Sequence, residues 1–162
     1  MHPWLISQLL VLLALANTAP VIVNDFLGKR LSYPLDGGVK FIDGHPLFGS
    51  SKTIRGIMFS VLAAAAGASL VGLGWKIGVA VASMAMAGDL FSSFLKRRMQ
   101  LPAGSRATGL DQVPESLLPL LACRSALSLT ALDITVVVVA FFLGEMFLSI
   151  LFYKLHLREH PY

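Results

Sequence analysis

The chain has 162 residues, 56% of them apolar and only 14% charged, with a mean hydropathy of +0.74 and a formal net charge of +4. An average soluble domain carries about a quarter charged residues, so a water-soluble globule is excluded, and five membrane spans of about 20 residues each leave no length for a separate soluble catalytic domain. The one cysteine, Cys123, excludes an intramolecular disulfide.

Five apolar runs follow one another, about Trp4–Val23, Ile54–Trp75, Ile77–Leu95, Ser116–Leu132 and Ile134–Tyr153. Hydrocarbon cannot satisfy exposed peptide groups, so spans are helices or closed barrels, and long unbroken apolar runs lack the alternation of barrel strands. The expected fold is an all-α polytopic membrane protein: one membrane domain over residues 1–162 with five transmembrane helices. The first run has no lysine or arginine before it, so a cleavable secretory leader is not expected. The second run carries Ala63–Ala66 with Gly67, Gly72 and Gly74, a face of small residues suited to close helix packing. The fourth run is the shortest and holds Pro119 and Arg124, which leaves a re-entrant or buried segment open as an alternative to a full crossing.

Charge sets the expected orientation. Lys29, Arg30, Lys40, Lys52 and Arg55 lie between the first two runs, Lys96, Arg97, Arg98 and Arg106 between the third and fourth, and Lys154 and Arg158 in the tail. The opposite face holds only the amino-terminal segment, Lys76 and Asp133. The positive-inside rule then puts the amino terminus outside and the carboxyl terminus in the cytoplasm, with two cytoplasmic loops at 24–53 and 96–115.

Those loops carry the chemistry. The first is too long for a plain connection and interleaves Asp25, Asp36 and Asp43 with glycines and with Phe26, Leu31, Tyr33, Phe41 and Phe48, which suit packing against the bilayer surface. Gly49, Lys52, Thr53 and Arg55 converge at the start of the second run, where backbone N–H groups and a helix dipole favour a phosphate. Ser50 and Ser51 separate Gly49 from Lys52, so the spacing is not that of a nucleotide-binding P-loop. The alternative for Lys52 and Arg55 is simple anchoring at the headgroups. Asp89 stands about two turns inside the end of the third run, where an ionisable group is expensive unless it meets a polar cavity or a cation. Ser93, Lys96 and Arg97 fall on its helical stripe, a combination that suits a metal-bound phosphate, with an intrahelical ion pair as the bland alternative. Asp111 and Glu115 add two carboxylates before the fourth run, and an oxygen-rich set of this kind suits Mg²⁺. His2, His45, His156 and His160 are scattered and offer no zinc cluster. Arg124 and Glu145, at equal depth on adjacent spans, are expected to pair inside the bundle.

The order Pro34-Leu35-Asp36, Asp43-Gly44, Gly49, Lys52-Thr53, Arg55-Gly56, Gly88-Asp89-Leu90, Ser93, Lys96-Arg97-Arg98 and Leu110-Asp111-Gln112 resembles the CDP-archaeol synthase family, five-span enzymes related to the CDP-diacylglycerol synthases. The resemblance implies Mg²⁺-dependent transfer of a cytidylyl group from CTP to an isoprenoid ether-lipid phosphate, releasing pyrophosphate. It implies metal contacts at Asp89 and Asp111, catalytic roles for Asp89, Lys96 and Asp111, and phosphate contacts from Lys52, Thr53, Arg55, Ser93, Lys96 and Arg97. Asp36 and Asp43 are expected to order the loop or read the cytosine. The family pattern has a second aspartate three residues after Asp111, where this chain has Pro114 followed by Glu115, so that contact is expected to shift to Glu115 or to be absent. The longer segment between Asn24 and Gly38 leaves a diacyl lipid phosphate compatible as well. The implied partners are CTP, a lipid phosphate and the bilayer, with no nucleic acid. The rival readings are a small transporter or channel lined by Asp89, Arg124 and Glu145, and a non-catalytic membrane scaffold.

Overall fold

A computed structural model describes residues 2–28, 32–105 and 107–154, with side chains described as far as Ser149. Lys29, Arg30, Leu31, Arg106, His156, Arg158, His160 and the Lys154 side chain therefore lie outside the described residues. Five helices follow in order: α1 Pro3–Leu27, α2 Ile54–Leu70, α3 Trp75–Arg98, α4 Gln112–Ala122 and α5 Ala131–Lys154. Two isolated bridges, Pro34 with Thr53 and Lys40 with Pro46, are the extended pairings among the described residues.

Local chemistry fixes the helix ends. Pro3 opens α1, where its missing N–H costs nothing. Thr53 caps α2 by accepting the Gly56 N–H at 3.1 Å. Lys96, Arg97 and Arg98 occupy the last turn of α3, the negative end of its dipole. Thr130 and Asp133 form a capping box at the start of α5: Asp133 N–H donates to Thr130 Oγ1 at 3.1 Å, and Thr130 N–H donates to Asp133 Oδ2 at 3.1 Å.

These helices close a ring in chain order, with α1 and α3 also packed together across it. Leu9, Leu12, Leu13 and Ala16 of α1 meet Ala64 and Ala68 of α2, Val81, Ala82 and Ala85 of α3, Leu120 of α4 and Val137 of α5 in a common core. Small residues let the backbones close in: a Cβ on Gly78 would strike the Ala64 carbonyl. The small face of α2 is made by Ala64, Gly67 and Ala68, whereas Gly72 and Gly74 shape the turn into α3 with positive φ. The outer surface stays apolar, with Val11, Leu62, Leu70, Trp75, Val139, Leu143 and Phe147 exposed. In a helical chain of this composition such a surface is lipid-facing, and the protein is an integral membrane protein.

One end of the bundle gathers the start of α1, the α2–α3 turn and the start of α5. His2 N–H donates to Asp133 Oδ1 at 2.9 Å, and Gln8 Nε2 donates to the Val71 carbonyl at 2.5 Å. The other end carries residues 32–53, 99–105 and 107–111. Helices α1, α3 and α5 are long and apolar enough to cross a membrane; α2 has 17 residues and α4 only 11.

The expected second and fourth spans differ most from the structure. The second ends at Leu70, because Gly72 and Gly74 turn the chain before Trp75. The fourth begins earlier, at Gln112, and stops at Ala122; residues 123–130 form a turn closed by Leu127 N–H to the Cys123 carbonyl and Leu129 N–H to the Arg124 carbonyl. Helix α4 starts deep, since the Pro114 carbonyl and Glu115 amide lie against Gly88. Gly88 is ten residues before the end of α3, roughly 15 Å at helical rise. Residues 99–105 and 107–111 thus descend alongside α3 before the helix begins. Non-helical backbone at such depth must have its polar groups satisfied by protein, and here it does. Lys96 Nζ donates to the Ser105 carbonyl at 2.8 Å, Arg97 Nη2 donates to the Pro102 carbonyl at 2.7 Å, and Ala107 N–H donates to Asp111 Oδ2 at 3.0 Å.

Candidate active site

Because α2 and α4 both begin below the end of α3, the residues that open them face the middle of α3 instead of its tip. At the centre is Asp89. Lys52, two residues before α2, places its ammonium 2.5 Å from both Asp89 oxygens. Glu115, in the first turn of α4, shares a hydrogen bond with Asp89. Lys52 is also near enough to act on Glu115. Lys96 and Asp111 form a second ion pair at 2.7 Å, and Asp111 is near enough to act on Glu115. Gly88 makes the cluster possible, because any side chain there would collide with the backbone that carries Glu115.

A second layer orders the first loop. The Asp36 carboxylate is buried and accepts three backbone N–H groups at 3.0 Å, from Gly38, Phe48 and Gly49. Burial is the largest influence and raises its pKa, but the backbone donors together outweigh it and leave the value below the ordinary 3.8. With the folded-state value depressed, the stability Asp36 contributes is complete above 3.8 and is lost as pH falls through the lower folded-state value. Asp36→Asn is therefore expected to melt earlier than wild type at neutral pH. That gap should stay constant down to pH 3.8 and narrow only below it, as read by thermal unfolding in detergent. Gly49, with φ of 93°, sits where a Cβ would come 3.2 Å from the Ala103 Cβ and 3.5 Å from Arg97 Nη1, so the two loops touch at this residue.

At the rim, Arg98 clamps the hairpin 39–47 to the end of α3. Its Nη1 donates to Asp43 Oδ1 at 2.8 Å and its Nη2 donates to the Pro46 carbonyl at 2.6 Å. The guanidinium carbon stands 4.7 Å from the Phe41 ring centroid and 4.9 Å from that of Phe94. Planarity and a forked donor set make this an arginine site. Arg98→Lys is expected to loosen the hairpin, seen as faster amide exchange at Phe41 and Gly44, whose N–H groups bond within it; unchanged exchange would contradict the clamp.

The residues expected in the site do not all come together. Lys52, Asp89, Lys96, Asp111 and Glu115 come together. Asp36, Gly49 and Thr53 shape the loop and the α2 cap, and Arg55 Nη2 donates to Asn24 Oδ1 and to the Gly28 carbonyl, tying α2 to the end of α1. Arg97 braces the descending segment but keeps a buried Nε without a hydrogen-bond partner, and Ser93 is buried one turn after Asp89. Asp43 belongs to the rim. Asp25 is exposed on the last turn of α1. Sequence reasoning missed the roles of Gly88, Arg98 and Asn24. Arg98 alone left a signal, as the third member of a basic run opposite the acidic first loop.

Arg124 and Glu145 do not pair. Equal depth was counted on a straight fourth span, but Arg124 lies exposed in the turn after α4, five residues before Leu129, while Glu145 is more than three turns into α5. No ion pair among the described residues joins them.

The donor set is oxygen only. Among the described residues no group of three or more His, Cys, Asp or Glu side chains is arranged to hold a metal ion by itself. The adjoining Asp89 and Glu115, with Asp111 close by, make an open set. This fits Mg²⁺, which takes one or two protein carboxylates and fills its octahedron with water and substrate phosphates.

The family profile described as CarS-like: CDP-archaeol synthase matches residues 5–162. A CDP-archaeol synthase of Pyrococcus furiosus is 35% identical over 127 residues, 69% of this chain and 70% of that protein. One of Sulfurisphaera tokodaii is 32% identical over 135 residues, 80% of this chain and 81% of that protein. A solved structure described as an intramembrane enzyme for archaeal membrane lipid biosynthesis superposes with a TM-score of 0.71 at 30% identity, covering 86% of this chain and 92% of that one. An apolar bundle with ion-paired carboxylates and lysines sunk below its rim thus has relatives along nearly its whole length, and the chain belongs to the CDP-archaeol synthase family of membrane enzymes.

Proposed function

We propose that the protein transfers a cytidylyl group from CTP to a lipid phosphate with the help of Mg²⁺, forming a CDP-lipid and pyrophosphate. The supporting observation is the cluster of Lys52, Asp89, Glu115, Lys96 and Asp111, gathered below the end of α3. In the reaction a phosphate oxygen of the lipid attacks the α-phosphorus of CTP and the bond to the β-phosphate oxygen breaks. The attacking phosphate is already an anion near neutral pH, so no general base is needed. The difficulty is repulsion between two polyanions. Lys52 and Lys96, which pair with Asp89 and Asp111, would offset that repulsion. Asp89, Asp111 and Glu115 would hold Mg²⁺, which when bound neutralises charge on the triphosphate and on the leaving pyrophosphate.

The site faces the cytoplasm in this reading. Lys40, Lys52, Arg55, Lys96, Arg97 and Arg98 lie at the site end, against Lys76 and Arg124 at the other. The lipid acceptor is taken as an isoprenoid ether-lipid phosphate, in keeping with the names of the relatives. A transporter pathway gains no support, because Leu9, Leu12, Leu13, Val81, Ala85 and Val137 fill the core between the two ends.

Purified protein incubated with CTP, Mg²⁺ and a panel of lipid phosphates with isoprenoid ether or diacyl chains tests this. Pyrophosphate release that requires both lipid and metal is expected, fastest with the ether lipid. Release without lipid, or ion flux in liposomes with no CDP-lipid formed, contradicts it.

A further inference from the structure

A cationic group already stands where the carboxylates meet. The Lys52 ammonium contacts both oxygens of Asp89 and acts on Glu115, so it fills the place that the function proposed above gives to the metal. The backbone beneath it is fixed: Lys52 N–H donates to the Gly49 carbonyl at 3.2 Å, and the Lys52 carbonyl accepts from Leu35 N–H at 2.8 Å. Its flexible stem is the part that can move. Asp111 is likewise engaged, by Lys96. A divalent ion and an ammonium compete for the same lone pairs. The Lys52 and Asp89 side chains are only 21% and 18% exposed, so salt screens this pair less than one at the surface.

We propose that Lys52 is a tethered counter-cation that keeps divalent metal off Asp89 until a nucleoside triphosphate arrives. The triphosphate gives the ammonium a more highly charged partner. As Lys52 turns to the phosphates, Asp89 is released to the ion that the nucleotide brings with it. Metal and nucleotide then bind cooperatively, each tightening the other by one factor. The inference rests on the Mg²⁺ reading, and it adds that free metal alone does not load the site.

The test is Mn²⁺ uptake by the full chain in detergent micelles, read from loss of the aqueous Mn²⁺ paramagnetic resonance signal, with and without CTP and against protein-free Mn²⁺–CTP. Wild type is expected to hold Mn²⁺ at least about tenfold more tightly with CTP than without. Lys52→Gln and Lys52→Met are expected to bind Mn²⁺ without CTP about tenfold more tightly than wild type, and to gain little when CTP is added. Equal uptake by wild type with and without CTP overturns the counter-cation role and leaves the metal reading standing. So does a Lys52 variant that binds no better than wild type in the absence of CTP. Absence of uptake in every sample, CTP included, overturns both. Thermal unfolding in the same detergent identifies any variant that does not fold, and equal wild-type uptake with and without CTP overturns the role even where neither variant folds.

Discussion

Gly88→Ala is expected to reduce kcat/KM about 100-fold while the protein still folds. The added Cβ would meet the Pro114 carbonyl and the Glu115 amide, both backbone atoms that cannot rotate aside. Helix α4 must therefore move off α3, taking Glu115 away from Asp89 and disturbing Asp111, which immediately precedes the same helix. A displacement of one ångström at reacting groups is enough for a loss of that size, and overpacking of this kind destabilises by about 1–3 kcal/mol. Gly144→Ala serves as the comparison, since open space surrounds that glycine, and it should leave both activity and melting temperature unchanged. Gly78→Ala should lower the melting temperature through the α2–α3 contact, with a smaller effect on turnover than Gly88→Ala. Activity in Gly88→Ala equal to that of Gly78→Ala would mean that the closeness of α4 to Asp89 does not matter for the reaction.

Asp89→Asn is expected to reduce turnover by on the order of 10²–10³ or more, as loss of a principal charge in a preorganised site does. It removes the carboxylate that both Lys52 and Glu115 approach. A structural ion pair and a catalytic carboxylate give different results in the double variant. Adding Lys52→Gln to Asp89→Asn replaces an unpaired cation with a neutral pair, so the melting temperature should recover. Pyrophosphate release should not. Recovery of both would reduce Asp89 to a structural partner of Lys52.

The helices were legible where lipid dictates the sequence. Runs of apolar residues long enough to cross hydrocarbon mark α1, α3 and α5 within a few residues of their ends. Asp89 was legible for the same reason, because a carboxylate in such a run needs a purpose. Depth was not. Apolar composition cannot tell that residues 99–105 and 107–111 descend beside α3 and leave α4 only 11 residues, since their backbone is satisfied by Lys96, Arg97 and Asp111, which read as site residues. The same error displaced Arg124, whose expected partner lies far along α5. Gly88 could not be singled out, because its function is set by the backbone that packs against it. The Lys52 contact with Asp89 joins residues 37 apart, which no local pattern encodes.

The central claim is that the triphosphate and its metal are held below the rim, between α3 and the first turn of α4. A crystal structure of the protein with CTP and Mg²⁺ tests it most directly. A metal coordinated by Asp89 together with Asp111 or Glu115 is expected, with the Lys52 ammonium turned from Asp89 to the phosphates. A triphosphate seated at the rim beside Asp43 and Arg98, with Lys52 still on Asp89, would contradict it.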